Sequence, residues 1–196
     1  MRSFYGGISS ADHGAVSRGR HFVFGYGSLV ADPERGHVAR LRGHRRVWGV
    51  AMDNRVDLAG YKSYRLRADG SRPEVFVAFV DIEPDPACTV TGLCLAVSDA
   101  ELRALDDRER NYDRIDVSAQ LDACPAGHVF AYVGSRTGRE RLRSGRVSGR
   151  AVVSRDYLDG LRAGIGAIAP DEVAAIEPAL AGIGVLDLER VEVPRG

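Results

Sequence analysis

The chain has 196 residues, 44% hydrophobic and 28% charged, enough for one domain with a substantial core. Its zero formal net charge argues against a surface built wholesale for nucleic acid or anionic membrane, and no run approaches the roughly 18 apolar residues of a membrane span. Three cysteines, Cys88, Cys94 and Cys124, lack metal-ligand spacing and are odd in number; the expectation is a reducing cytoplasm, no disulfide framework and no metal.

Residues 1–20 are rich in Gly, Ser, Ala and Arg without periodicity and lack the apolar core of a signal peptide. They read as a flexible tail before a single domain over 21–196. FVFGYGSLV, residues 22–30, is a β-prone run that breaks at Gly25 and Gly27. RRVWGVAMD, 45–53, reads as a strand, and 54–73 as a long polar loop punctuated by Gly60, Gly70 and Pro73. EVFVAFVDIE, 74–83, is strongly β in composition and is expected to end at Pro84 and Pro86. Further strands are predicted at 89–97, 128–133 and 186–193.

Helices are predicted at three places. Ser98 followed by Glu101 forms a capping-box pattern ahead of LRALDDRE. Ser154 opens a segment with Leu158, Leu161, Ile165 and Ile168 at helical spacing. A short helix opens at Pro170 and is disturbed by Pro178. Strands outnumber helices and do not alternate with them regularly. The expected class is α+β: a small mixed curved sheet or β-barrel with packed helices, not a doubly wound nucleotide fold.

Two stretches carry candidate chemistry. GYGSLV has neither the third glycine of a dinucleotide fingerprint nor the Gly-Lys-Ser/Thr end of a phosphate loop, and Ser28 is not centred in a nucleophile elbow. Gly25 and Gly27 therefore either bend a strand or bring bare amides up to a ligand. In the helix after Ser98, Leu102, Leu105 and Glu109 fall at i, i+3 and i+7 and share one face. An inward glutamate at a C-terminal helix end has its pKa raised by desolvation and the helix dipole, as suits a proton shuttle, unless a cation compensates. The alternative is a salt bridge to one of the many arginines.

Together, FGYGSL, the Val90-x-Gly92 strand leading to Val97, and LDDRERNY resemble the γ-glutamylcyclotransferase-like family, which shares a Tyr-Gly-Ser loop and a Leu-Asp-x-x-Glu helix end. FAYV at 130–133, with Tyr132, and the Ser154 segment, with Tyr157, are similar to later family elements. The resemblance covers residues 22–168 or so. It implies a small mixed β-barrel with helices, and a turn of Tyr26, Gly27, Ser28 and Leu29 that holds a γ-glutamyl group mainly through main-chain amides. Glu109 takes the position of the family's acid/base, and Tyr112 that of a residue orienting it or contacting substrate.

The implied reaction is intramolecular. The substrate's α-amine attacks its own γ-carbonyl, closing 5-oxoproline and releasing an amino acid, peptide or amine; no cofactor is required. The glutathione-specific branch also carries FGYGSL and an Arg-Glu-Lys-x-x-Tyr helix end, to which Arg108-Glu109-Arg110-Asn111-Tyr112 is close. Its histidine- and arginine-containing stretch after the first loop is replaced here by MDNRVDLAGYKSYR, so the resemblance does not extend to glutathione as substrate. Asp53, Asn54, Arg55 and Lys62 in that stretch either read the leaving portion or form a solvated loop. Residues 136–150 carry six arginines against one glutamate. Without interleaved aromatics they read as a solvated flexible loop rather than a nucleic-acid site. A non-catalytic small-molecule binding module on the same scaffold is the alternative function, and the expected partner in either case is a small molecule, with oligomeric state open.

Overall fold

The computed structural model describes residues 21–122 and 127–194; the expected tail at 1–20 lies outside them. Strand β1 (His21–Gly25) is buried nearly throughout. It runs antiparallel to β4 (Phe76–Val97) and parallel to β7 (His128–Gly134), and a strand flanked on both sides reads as continuous apolar sequence. β2 (His37–Asp53) pairs antiparallel with β4 along almost its whole length. β5 (Tyr112–Asp116), β6 (Leu121–Asp122), β8 (Ala151–Ser154) and β9 (Gly184–Leu186) complete an eight-stranded mixed sheet. Its main path is β5-β7-β1-β4-β2-β6, with β8 on β4 and β9 on β8. Four helices pack on this curled α+β sheet: α1 (Asp99–Arg108), α2 (Arg136–Val147), α3 (Arg155–Ile168) and α4 (Pro170–Val173).

The capping box at Ser98 and Glu101 forms as expected, and Leu158, Leu161 and Ile165 of α3 are buried. Pro84 does not end its strand, in contrast to the expectation. It lies opposite His44 where the ladder slips between Arg42 and His44, and it is itself exposed between half-buried neighbours. An irregular, solvated stretch has no need of the missing N–H. Gly43, at φ +73, takes the left-handed conformation at the slip.

Two segments expected as loops are regular. Within 54–73 lies β3 (Lys62–Leu66), paired with β10 (Leu188–Glu192) as a separate two-stranded sheet. Tyr61 and Tyr64 pack there against Val50, Met52, Val77, Phe79 and Leu188. Asn54, fully buried, donates Nδ2 to the carbonyls of Tyr64 and Pro73 and accepts the Tyr64 amide, pinning the excursion. The arginine-rich stretch 136–150 is largely helix α2. Ser135 caps it, and Gly138, Leu142 and Gly145, spaced i, i+4 and i+7, form its buried face. Two of those three are glycines, so the face carries almost no hydrophobic signal. Cys88 is free and Cys94 is disulfide-bonded, which the odd cysteine count did not lead us to expect.

Asp81 is the one fully buried carboxylate among the described residues, 1% exposed. It accepts the Gly134 amide at 2.6 Å, the Ile82 amide at 2.8 Å and Arg139 at 3.0 Å, joining β4, β7 and α2. Gly49 and Gly134 make room for it, since a Cβ on either would fall 2.3 Å from an Asp81 atom. Asp81→Ala leaves two amides unpaired in the core. It should lower unfolding free energy by about 3 kcal/mol or more, measured by chemical denaturation.

Candidate functional site

The chain leaves β1 at Gly25 and turns through Tyr26 and Gly27 into a single 3-10 turn, Ser28–Ala31. Its backbone closes with the Val30 amide on the Gly27 carbonyl at 3.0 Å. The first amides of such a turn point out of its N-terminal end. A Cβ on Gly25 would strike Leu29 Cβ at 2.5 Å, and one on Gly27 would meet Val80 Cγ2 at 2.9 Å and lie 3.4 Å from the Tyr157 hydroxyl. Both glycines are therefore required by the tightness of the turn itself, and Gly27 also borders Tyr157.

Arg46, from β2, fixes this turn. Its Nε donates to the Tyr26 carbonyl at 3.0 Å, its second amino group to the Thr91 carbonyl at 2.7 Å, and its first to Glu172 Oε2 at 2.7 Å. Glu172, from α4, also accepts the Thr91 amide at 2.9 Å. In a trans peptide, holding the Tyr26 carbonyl also sets the opposite direction of the Gly27 N–H. Arg46 thus orients a main-chain donor that it never touches.

The turn and α1 meet over one apolar cluster. Val23, Leu102, Leu105 and Tyr132 form it, with Leu29 and Tyr112 packed against it. The two leucines face inward as their spacing predicts, and α1 ends at Arg108, leaving Glu109 as its C-cap. Glu109 is half-buried. Its Oε1 accepts both Arg108 Nε at 2.9 Å and an Arg108 amino group at 2.7 Å. The compensating cation named as the alternative is thus present, while Oε2 has no hydrogen-bond partner among the described residues. One oxygen is clamped and one is left unpaired.

Tyrosines surround this carboxylate. Tyr26 donates to the Tyr132 carbonyl, Tyr112 to the Val80 carbonyl at 2.7 Å, and Tyr132 to Asp106 at 2.7 Å. Val80 also offers its amide to the Tyr157 hydroxyl at 3.4 Å. Burial pushes the phenols of Tyr26 and Tyr112 well above their ordinary range, with Asp81 adding to Tyr26, Tyr157 to Tyr112, and Glu109 to both. These hydroxyls remain protonated donors and are spent on carbonyls. Tyr26 belongs to the core, so what it contributes at the site is backbone, whereas Ser28 is exposed.

The structure thus brings Tyr26, Gly27, Ser28, Leu29, Tyr112 and Glu109 to one place, with Tyr157 beside them. Asp53 and Arg55 pair with each other at 2.7 Å, and Asn54 is structural. Lys62 stands at the edge of the site on the ring of Phe79, 4.1 Å from its centre. Sequence reasoning missed Arg46, Glu172 and Asp81. A charged residue two positions before Trp48, and an aspartate inside an apolar strand, were the available signals. Among the described residues no three His, Cys, Asp or Glu side chains converge as metal ligands, and no helix is long and apolar enough to cross a membrane.

The sequence pattern of the family described as gamma-glutamyl cyclotransferase, AIG2-like, matches residues 23–149. The chain belongs to that family. The match runs from β1 to the end of α2 and so contains both the Tyr26 turn and Glu109; Tyr157 lies beyond it. Among solved structures, the chain is similar to YkqA from Bacillus subtilis, at 12% identity and a TM-score of 0.54 over 91% of this chain and 57% of that one. It is also similar to the uncharacterized human protein loc79017, at 14% identity and a TM-score of 0.50 over 82% and 88%. A chain described as gamma-glutamyl cyclotransferase aligns at 12% identity and a TM-score of 0.48 over 81% and 86%. At these identities the likeness is one of fold. No curated protein matches in sequence.

Two outcomes follow from this geometry. Arg46→Met leaves Glu172 and two carbonyls without their donor. It should cost about 3 kcal/mol and speed hydrogen exchange of the Val30 amide, read by mass spectrometry. Burial depresses the Lys62 pKa from 10.5 to about 8, opposed by Glu109. The unfolded chain therefore binds the extra proton between those values, and Lys62 favours folding more as pH rises from 8 to 10.5. The difference in unfolding free energy between wild type and Lys62→Met should shift in favour of wild type across that window, measured by urea denaturation.

Proposed function

We propose that the protein is a γ-glutamylcyclotransferase, converting a γ-glutamyl amino acid, peptide or amine into 5-oxoproline with Glu109 as acid and base. The observation that carries this reading is that the Arg46-held turn and the helix whose end bears Glu109 pack on one leucine cluster, inside the stretch that matches the family. The substrate's amine and carbonyl are already tethered, so the site chiefly has to enforce the folded conformer.

In this mechanism the turn holds the γ-glutamyl group, and Oε2 takes a proton from its α-ammonium. The freed amine attacks the γ-carbonyl, forming the ring C–N bond. Amides at Gly27–Leu29 stabilise the oxyanion, an effect worth about 3 kcal/mol per donor in other enzymes. As the original C–N bond breaks, Glu109 returns its proton to the departing nitrogen and relays the second proton from the ring nitrogen to it, so that the ring keeps one N–H and the amine leaves as its ammonium. Arg108 keeps the carboxylate placed between the two transfers, and the protonated tyrosines keep the walls fixed.

The Arg108–Glu109 pair would also suit a binding module without activity, and one assay separates the two. Purified protein incubated with γ-glutamyl dipeptides, glutathione and γ-glutamylamines should release 5-oxoproline, quantified by mass spectrometry. Glu109→Gln should reduce kcat by about 100-fold or more without loss of fold. Undiminished turnover in that variant contradicts the assignment, and saturable binding with no turnover on any substrate favours the module.

A further inference from the structure

Lys62 is the single lysine in a chain whose other 26 basic residues are arginines. Its ammonium lies 4.1 Å from the centre of the Phe79 ring and 5.4 Å from that of Tyr61. Among the described residues it makes no hydrogen bond or ion pair. An ammonium carries three donors and is strongly hydrated, and ring faces replace only part of that hydration.

Its acidic neighbours are engaged elsewhere, Glu109 through one of its two oxygens. Glu109 is paired with Arg108, and Glu192, opposite Lys62 in the β3–β10 ladder, is paired with Arg190. The other polar candidates of the excursion are used internally: Asp53 with Arg55, Asn54 with Tyr64 and Pro73, and Arg72 with Asp57. Arg72 keeps one amino group unpaired beside its bonded ones, whereas the whole ammonium of Lys62 makes no hydrogen bond among the described residues.

Its place relative to the reaction site is also set. The Phe79 ring that carries the ammonium meets Tyr157 edge-on at 5.3 Å, and the Tyr157 hydroxyl borders Gly27 of the turn. On the other side, the Tyr61 hydroxyl accepts Asn111 Nδ2 at 3.1 Å, two residues beyond Glu109. The contacts Gly27–Tyr157–Phe79–Lys62 thus link the turn, where the cyclotransferase reading puts the γ-glutamyl end, to the ammonium.

We propose that the Lys62 ammonium receives the carboxylate of the leaving amino acid, so that the preferred substrates are γ-glutamyl amino acids rather than γ-glutamyl amines without a carboxylate. This rests on the cyclotransferase reading and narrows its substrate class. A cation kept half-desolvated without a counter-ion is a receptor made ready for one. A bound carboxylate supplies the hydrogen bonds the fold withholds.

The groups facing Lys62 are Glu109 and Arg108 at the end of α1, Arg190 and Glu192 of β10, and Tyr61. Burial depresses its pKa to about 8, with Glu109 opposing, so the free enzyme carries the charge at pH 7 and loses it above pH 8. A carboxylate ligand reverses that shift. Binding of a γ-glutamyl amino acid above pH 8 then takes up a proton that a γ-glutamyl amine does not.

The test compares kcat/KM for γ-glutamylalanine and γ-glutamylethylamine, which differ by the leaving group's carboxylate. Glu109 and the substrate's own α-ammonium and α-carboxylate act on both and cancel in the ratio. Wild type should favour γ-glutamylalanine by about tenfold or more. Lys62→Met should bring the ratio close to one, mainly through KM, while Lys62→Arg keeps part of the preference; thermal melts check that both variants fold. Wild type alone gives a second readout, since its preference should fade as pH rises from 7 to 9. A ratio unchanged in Lys62→Met or flat with pH overturns the proposal, as does a parallel loss on both substrates, which would make Lys62 a reader of the shared α-carboxylate. Absence of turnover on both substrates instead removes the cyclotransferase reading and the substrate assignment with it.

Discussion

A guanidinium with a tenth of its side chain exposed must spend its donors inside the fold, and Arg46 does so on three elements at once. It holds the carbonyl where β1 gives way to the turn, the Thr91 carbonyl of β4, and Glu172 at the far end of the chain. Burial lowers its pKa and the Glu172 carboxylate opposes the shift, so the pair is favourable only as a pair. Each bond fixes something that packing alone leaves free. The direction of the Gly27 peptide depends on the first, the closure of α4 over the sheet on the last. Arg46 therefore holds the turn in one backbone geometry through bonds that packing alone does not supply.

Charge is distributed over the site according to what each position must do. Asp81 is wholly enclosed and wholly satisfied, so it serves architecture. Glu109 is half enclosed, with one oxygen clamped by Arg108 and the other without a hydrogen-bond partner among the described residues. Lys62 has no counter-ion and rests on aromatic faces. Tyr26 and Tyr112 donate to main-chain carbonyls and stay neutral because burial disfavours their phenolates. Fixed neutral walls around one open acid and one open cation suit a zwitterionic ligand.

Much of the fold was legible where local pattern and tertiary role agree. The capping box of α1, the leucine spacing of α3 and the prolines of the α4 region each act within a few residues, and each was found where expected. The excursion at 54–73 hid β3 because its partner, β10, lies more than a hundred residues away, and a five-residue strand with two adjacent buried positions shows no alternation to read. Helix α2 hid because its buried face is Gly138, Leu142 and Gly145, where small size rather than hydrophobicity does the packing. For the site, Glu109 was visible through Leu102 and Leu105, since helical periodicity places all three on one face. Arg46 and Asp81 were not visible, because their roles consist of contacts with Tyr26, Glu172, Gly134 and Arg139 that no local spacing encodes.

The family and the fold supply the setting; the chemistry depends on whether the Tyr26 turn and Glu109 act on the same small molecule. The most direct measurement is a crystal structure of the protein with 5-oxoproline, the product the account assigns. It should show the ring carbonyl oxygen on amides of Gly27–Leu29 and the ring nitrogen at Glu109 Oε2. A ring bound elsewhere, or bound at the turn with Glu109 facing away from it, would contradict the account.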